Sequence, residues 1–194
     1  MRIFVAGASG VIGSHLVPLL LAAGHDVAGM TRTEAKAERL RVLGAEPVVC
    51  DVFDLGKLCE AVKSFSPDAV VHQLTDLPDD PARVRELADA NSRMRREGTH
   101  NLLIAARAAQ AARFVAQSVA WEIPGDGGAA VAEHERAVLE AGGVVIRYGQ
   151  LYGPGTYFEG ELPSHPRVGV QEAARRTLPA IEQSSGVVVV AEDA

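Results

Sequence analysis

Arg2-Ile3-Phe4-Val5-Ala6-Gly7-Ala8-Ser9-Gly10-Val11-Ile12-Gly13 follows the initial methionine and decides the fold of this 194-residue chain. Residues 2–6 read as a strand. Three glycines at G-x-x-G-x-x-G spacing come next, and a helical pattern runs over roughly 11–23. Gly7 suits a tight turn out of the strand. Gly10 lets bare backbone approach a diphosphate, and Gly13 lets helix and strand pack closely. The helix N-terminus then offers free N–H groups and a positive dipole end to the phosphates, with Gly7, Ser9, Gly10, Val11, Ile12 and Gly13 as the cofactor-binding residues. The expectation is a dinucleotide site. Pro18, inside the helical pattern, should remove one backbone bond and kink the helix.

Working outward, strands at about 27–31, 46–50, 68–72, 113–117 and 143–147 alternate with helical patterns. The helices fall near 34–41, 55–64, 81–110 and 130–141. Such alternation of nearly continuous apolar strands with helices predicts an α/β fold. It is a Rossmann-type doubly wound parallel sheet, covered on both faces, with right-handed crossovers. A loop-rich stretch marked by Gly153-Pro154-Gly155, Pro163 and Pro166 follows, then a helix near 171–183 and a strand near 187–190. One domain over 1–194 fits the length.

Composition bounds the rest. Hydrophobic residues make up 47% and charged residues 23%, and the formal net charge is -6. An acidic balance disfavours nucleic acid as a partner. No apolar run is long enough to cross a membrane, and the first residues do not read as a signal peptide. Cys50 and Cys59 fit reduced, core-packing thiols and a cytoplasmic protein. The six histidines show no metal-ligand spacing, so no metal is expected. Arg93-Met94-Arg95-Arg96 reads as a solvated basic face.

The second strand ends at Arg32, 19 positions past Gly13. An acidic residue there would hold a ribose 2′-hydroxyl. An arginine fork suits a 2′-phosphate instead, which favours NADP with NAD as the alternative cofactor. A solvated surface arginine is the other reading of Arg32. Asp51, just past the third strand, either meets an adenine amino group or caps the next helix, although Asp54 fits that cap better.

The glycine loop, Asp51-Val52-Phe53-Asp54, Val70-Val71-His72, Gly98-Thr99-His100-Asn101-Leu102-Leu103 and Arg147-Tyr148-Gly149-Gln150-Leu151-Tyr152-Gly153-Pro154-Gly155 carry a resemblance. The chain resembles the extended and atypical short-chain dehydrogenase/reductases, the group of NAD-dependent epimerases and dehydratases, over about residues 1–156. The resemblance implies that Val52, Leu74 and Thr75 border the adenosine half of the cofactor. It implies that Ser118, Tyr148 and Gln150 lie near the nicotinamide. It also implies a substrate-binding lobe after Gly-Pro-Gly, of which residues 153–170 are a remnant. A second copy of the chain could complete the pocket as a homo-oligomer.

That group needs a tyrosine and a lysine four positions apart, the lysine lowering the tyrosine pKa for proton transfer. Alignment places Gly127 and Val131 there, and no lysine follows Lys63. Ser118 and Tyr148 are the remaining weak candidates. Tyr152, Tyr157 and His134 are weaker, and a solvated or structural role is the plainer reading of His134. Trp121 either walls the substrate side or packs. The implied function is an NADP(H)-binding oxidoreductase or epimerase-like enzyme acting on a small carbonyl or sugar-like molecule. The alternative is a dinucleotide-binding sensor without turnover.

Overall fold

All seven strands of the main sheet run parallel, because each is reached through a crossover that carries a helix or a long connection. The structure, a computed structural model, describes residues 1–78 and 80–193. The elements are β1 (Arg2–Ala6), α1 (Gly13–Ala22), β2 (Asp26–Thr31), α2 (Glu34–Leu43), β3 (Glu46–Val49), α3 (Leu55–Phe65) and β4 (Ala69–His72). A 3-10 turn at Pro81–Arg83, α4 (Ala88–Arg93), a π turn (Met94–Gly98) and α5 (Thr99–Ala108) follow. Then come β5 (Arg113–Val119), α6 (Gly125–Glu140), β6 (Val144–Tyr148), β7 (Gln150–Tyr152), β8 (Arg167–Gly169), α7 (Val170–Ile181) and β9 (Gly186–Val190).

The strand order is β3-β2-β1-β4-β5-β6-β9. It reverses between β1 and β4, and ligands bind outside the carboxyl ends of strands at such a switch point. Side chains of β1 alternate between two cores. Ile3 and Val5 join Leu16, Leu20, Ile146 and Ile181 on one face. Phe4 and Ala6 join Leu58, Val62, Leu102 and Val145 on the other. This two-sided burial is why the strands lack polar alternation.

Local chemistry sets the helix ends. Thr33 caps α2 by accepting from the Lys36 N–H, and Gly44 ends it with φ +94°. Asp54 caps α3 by accepting from the Lys57 N–H at 3.2 Å. Asp51 instead closes its own turn on the Phe53 N–H at 3.0 Å, so the helix cap belongs to Asp54 alone. α1 runs on through Pro18, whose side chain lies on the exposed face.

Three expectations change. The single helix over 81–110 is broken into a 3-10 turn, α4, a π turn and α5. α6 starts at Gly125, not near 130. Its glycines hide it from a propensity reading, yet Gly125 takes φ +65° and Gly128 has no room for a side chain. A Cβ on Gly128 would lie 2.0 Å from the Ile123 carbonyl oxygen, and one on Gly127 would lie 2.9 Å from Ile123 Cγ2. The third difference is the small parallel pair β7–β8, which brackets the stretch read as loop. Cys50 is buried and Cys59 half-buried, both as free thiols packed in one core. No helix among the described residues is long and apolar enough to cross a membrane.

Candidate cofactor site and the buried polar cluster beside it

The glycine loop sits at the switch point, pinned from both sides. The Ala8 N–H donates to the Met30 carbonyl at 3.3 Å, and Ser9 Oγ lies 3.1 Å from Thr31 Oγ1. On the β4 side, the Gln73 N–H donates to the Ala6 carbonyl at 2.8 Å. Gly7 has φ +88°, and a Cβ on it would press within 2.8 Å of the Gln73 backbone. A Cβ on Gly13 would lie 2.2 Å from the Gly7 carbonyl oxygen. By contrast, Gly10 is exposed, and a Cβ there would meet only that same oxygen, at 3.3 Å. Gly7 and Gly13 thus build the corner, while Gly10 leaves space above it.

The N–H groups of Ser9, Val11, Ile12 and Gly13 find no acceptor among the described residues. Four donors converge at the start of a ten-residue helix. They suit the phosphate oxygens of a dinucleotide in number and charge. Gln73 Oε1, buried beside the loop, is the one fully enclosed side-chain oxygen or nitrogen without a partner among the described residues. An orphaned acceptor there calls for a donor from a bound group or an ordered water. The residues present therefore fit a dinucleotide.

Arg32 is exposed at the end of β2, and its Nη1 reaches Asp76 Oδ1 at 3.1 Å. Asp51 is exposed past β3, with one carboxylate oxygen engaged by Phe53 and the other open. Val52 is buried, and its carbonyl accepts from Asn101 Nδ2 at 3.0 Å. Leu74 is half-buried and Thr75 exposed along the same edge. Gln150 is half-buried, with its amide donating to the carbonyl and hydroxyl of Ser164 at 2.9 and 3.0 Å.

The two weak proton-donor candidates turn away from that edge. Tyr148 is 2% exposed and faces the core. Its hydroxyl lies 2.5 Å from Thr177 Oγ1. Thr177 spends its own proton on the Ala173 carbonyl at 2.8 Å, so Tyr148 donates to Thr177. Gln73 Nε2 donates back to Tyr148 at 3.3 Å. Burial pushes the phenol pKa up to about 12, against its hydrogen bonds to Thr177 and from Gln73. Ser118 is equally buried, and its hydroxyl donates to Glu135 Oε1 at 2.6 Å. The reason is register: both residues point into the layers that helices α6 and α7 cover.

Glu135 anchors a wider cluster. Arg147 Nε and Nη2 hold its two oxygens at 2.9 and 2.5 Å. Burial alone would raise this carboxyl; Arg147 and Ser118 outweigh it and keep the pKa below the ordinary carboxylate value. Next to it, His134 Nε2 lies 2.9 Å from the Gln117 carbonyl and must carry the proton there. Its Nδ1 then accepts from Thr99 Oγ1 at 2.7 Å. The Leu74 N–H donates to His72 Nδ1 at 3.1 Å, so His72 Nε2–H donates to Thr99 at 3.0 Å. The chain His72→Thr99→His134→Gln117 is therefore fixed in direction, with both imidazoles neutral. Burial holds His72 well below its usual pKa and His134 down to about 4. Of the two readings of His134, the structural one holds, and it is not solvated.

The basic run 93–96 is not one solvated face. Arg93 pairs with Glu97 and lies over the Phe53 ring, and Arg96 pairs with Asp126 and Glu133. Met94 and Arg95 are buried. Trp121 is 39% exposed at the carboxyl edge. Tyr157 donates to the Pro78 carbonyl across the same edge, and Tyr152 donates to Glu192 at 2.5 Å.

Comparison with known families gives the lineage. The model of the NAD dependent epimerase/dehydratase family matches residues 3–140, the greater part of the chain. The chain belongs to that family. Among curated proteins of this kind, it is 43% identical over 184 residues to the 3-diazoavenalumate denitrifying reductase of Streptomyces sp. That alignment covers 80% of this chain, which spans only 58% of the reductase's length. Solved epimerases share the fold. The UDP-glucose 4-epimerase of Thermus thermophilus, solved in complex with NAD, superposes with TM-score 0.80 at 23% identity. The match covers 98% of this chain and 78% of that one. The UDP-Glc/GlcNAc 4-epimerase of Campylobacter jejuni gives 0.81 at 15% identity, with coverage of 98% and 78%. Membership in an NAD-dependent family, with an intact glycine corner, supports a nicotinamide dinucleotide as the cofactor.

Proposed function

We propose that this family member is an NADP(H)-dependent reductase that delivers hydride to a small electrophile without a proton donor of its own. The carrying observation is the first turns of α6. There the resemblance aligns Gly127 and Val131 with the family's tyrosine and lysine, and a Cβ on Gly127 would come within 2.9 Å of Ile123 Cγ2. Epimerisation needs a group that takes and returns a hydroxyl proton. The buried hydroxyls of Ser118 and Tyr148 are engaged elsewhere, which speaks against that route.

The bound nicotinamide supplies hydride. The free N–H groups at the start of α1 hold the diphosphate, and Arg32 exchanges Asp76 for a 2′-phosphate. Leu74, Thr75 and the open oxygen of Asp51 border the adenosine. Ser118, Tyr148 and Gln150 set the wall behind the nicotinamide through backbone position rather than proton transfer. Residues 153–170 form the reduced substrate lobe, and a second copy of the chain completes the open side. Two free thiols support a cytoplasmic setting.

The substrate class follows from the missing acid. The relative from Streptomyces is named for a diazo substrate that it denitrifies reductively. An aryl diazonium accepts hydride at carbon, the C–N bonding pair leaves with N2, and charge balances with no proton required. A carbonyl would need a proton from water instead. The test is NADPH oxidation against a panel of aryl diazonium carboxylates, aldehydes, ketones and sugar nucleotides. The expected result is turnover of the diazonium salts, with deuterium from C4-labelled NADPH found on the aryl carbon. Tight NADPH binding with no turnover of any class would leave a sensor as the better reading.

A further inference from the structure

Arg95 lies in the π turn between α4 and α5, only 6% exposed. Asn91 and Thr99, four residues to either side, are buried on the same helical face. Asn91 Oδ1 accepts from the Asp76 N–H at 3.2 Å, and Thr99 joins the two histidines. This face therefore looks onto the carboxyl ends of β4 and β5 and onto α6. That is the substrate side in the function proposed above, on which this inference rests.

The Arg95 guanidinium makes no hydrogen bond or ion pair with any described residue. The nearest carboxylate, Glu135, already uses Oε1 on Ser118 and Arg147 and Oε2 on Arg147. His72 and His134 are neutral. Arg147, whose side chain is 42% exposed, already neutralises Glu135, so buried Arg95 has no carboxylate of its own among the described residues. Leaving a guanidinium buried and unpaired is unfavourable unless a counter-ion arrives. Among the fully enclosed side-chain nitrogens and oxygens of the described residues, only Gln73 Oε1 lacks a partner. The unbonded nitrogens of Arg95 are therefore not fully enclosed, and its small residual exposure reaches them.

We infer that Arg95 is the receptor for a carboxylate on the substrate. Its planar fork matches a carboxylate in pairs of hydrogen bonds. The site selects acids over their neutral analogues by electrostatics that water screens little at this depth.

Benzoate and benzamide serve as probes on NADPH-saturated protein, read by Trp121 fluorescence and by thermal shift. Wild type should bind benzoate at least about tenfold more tightly than benzamide, and Arg95→Met should lose that preference. Arg95→Met should melt no lower than wild type, because an uncompensated charge is removed. Equal affinity for acid and amide in wild type, or an undiminished preference in Arg95→Met, overturns the assignment. If Arg95→Met does not fold, Arg95→Lys decides. It should keep a weakened preference for the acid, and an undiminished one overturns the role of the fork. NADPH titration of the same samples separates the claims. Loss of NADPH binding with the acid preference intact strikes the proposed function alone; the reverse strikes Arg95 alone.

Discussion

Gly13 packs its α-carbon against the carbonyl oxygen of Gly7 so closely that any Cβ at position 13 would stand 2.2 Å from that oxygen. Gly13→Ala must push α1 off β1 and should cost about 2–4 kcal/mol. Gly10→Ala meets one atom at 3.3 Å and should cost less than about 1 kcal/mol, while filling the space over the loop. Urea unfolding and NADPH titration of both variants check this. Gly10→Ala should keep its midpoint and lose cofactor affinity; an unchanged affinity would remove the loop from the binding site.

Arg32 and Asp76 form an exposed pair, with side chains 61% and 27% accessible, so breaking it costs little stability. Arg32→Ala should weaken NADPH at least about tenfold more than NADH. Asp76→Asn should free the guanidinium and sharpen the preference for NADPH. Equal losses for both nucleotides on Arg32→Ala would contradict the preference for the phosphorylated cofactor.

Tyr148→Phe separates packing from chemistry. It removes the donor to Thr177 and leaves Gln73 Nε2 buried without an acceptor. The expected loss of stability is about 1–3 kcal/mol. Turnover should stay within about twofold, since a buried phenol at pKa about 12 is a poor acid near neutrality. A large fall in kcat with an unchanged midpoint would return Tyr148 to the reaction.

Acid should destabilise the protein before its carboxylates titrate. Burial holds His134 at about 4, below the ordinary 6.5 that it recovers on unfolding. Between those values the unfolded chain binds a proton that the native one does not, so stability falls as pH drops through the window. The contribution of His134 is about 3 kcal/mol, present above the unfolded value and gone below the folded one. His72 acts in the same direction. Denaturant midpoints measured from about pH 7.5 to 4.5 should fall steadily, and His134→Gln should flatten the slope. A flat wild-type profile would mean that His134 titrates normally.

The parts of this molecule legible in the sequence are those dictated by short-range geometry. The Gly7–Gly13 corner, the Asp54 cap and the apolar strands each follow from contacts within a few residues or from a strand buried on both sides. The start of α6 was not legible, because Gly125, Gly127 and Gly128 are poor helix formers, and only the close approach of the Ile123 carbonyl explains why position 128 must be glycine. Nor were the inward turns of Tyr148 and Ser118, whose partners Thr177 and Glu135 lie 29 and 17 residues away. Arg95 was masked by Arg93 and Arg96 on either side. The four-residue spacing of Asn91, Arg95 and Thr99 is the signal that could have found it.

The pairing of β7 with β8 fixes where the intervening stretch leaves and re-enters the body of the protein, two strands about 4.8 Å apart. Residues 153–166 are therefore a graft on a stapled stem. Doubling such an excursion adds only about 0.6 kcal/mol of closure entropy. Insertions of very different size can be exchanged above the staple while the seven-stranded frame below stays in register.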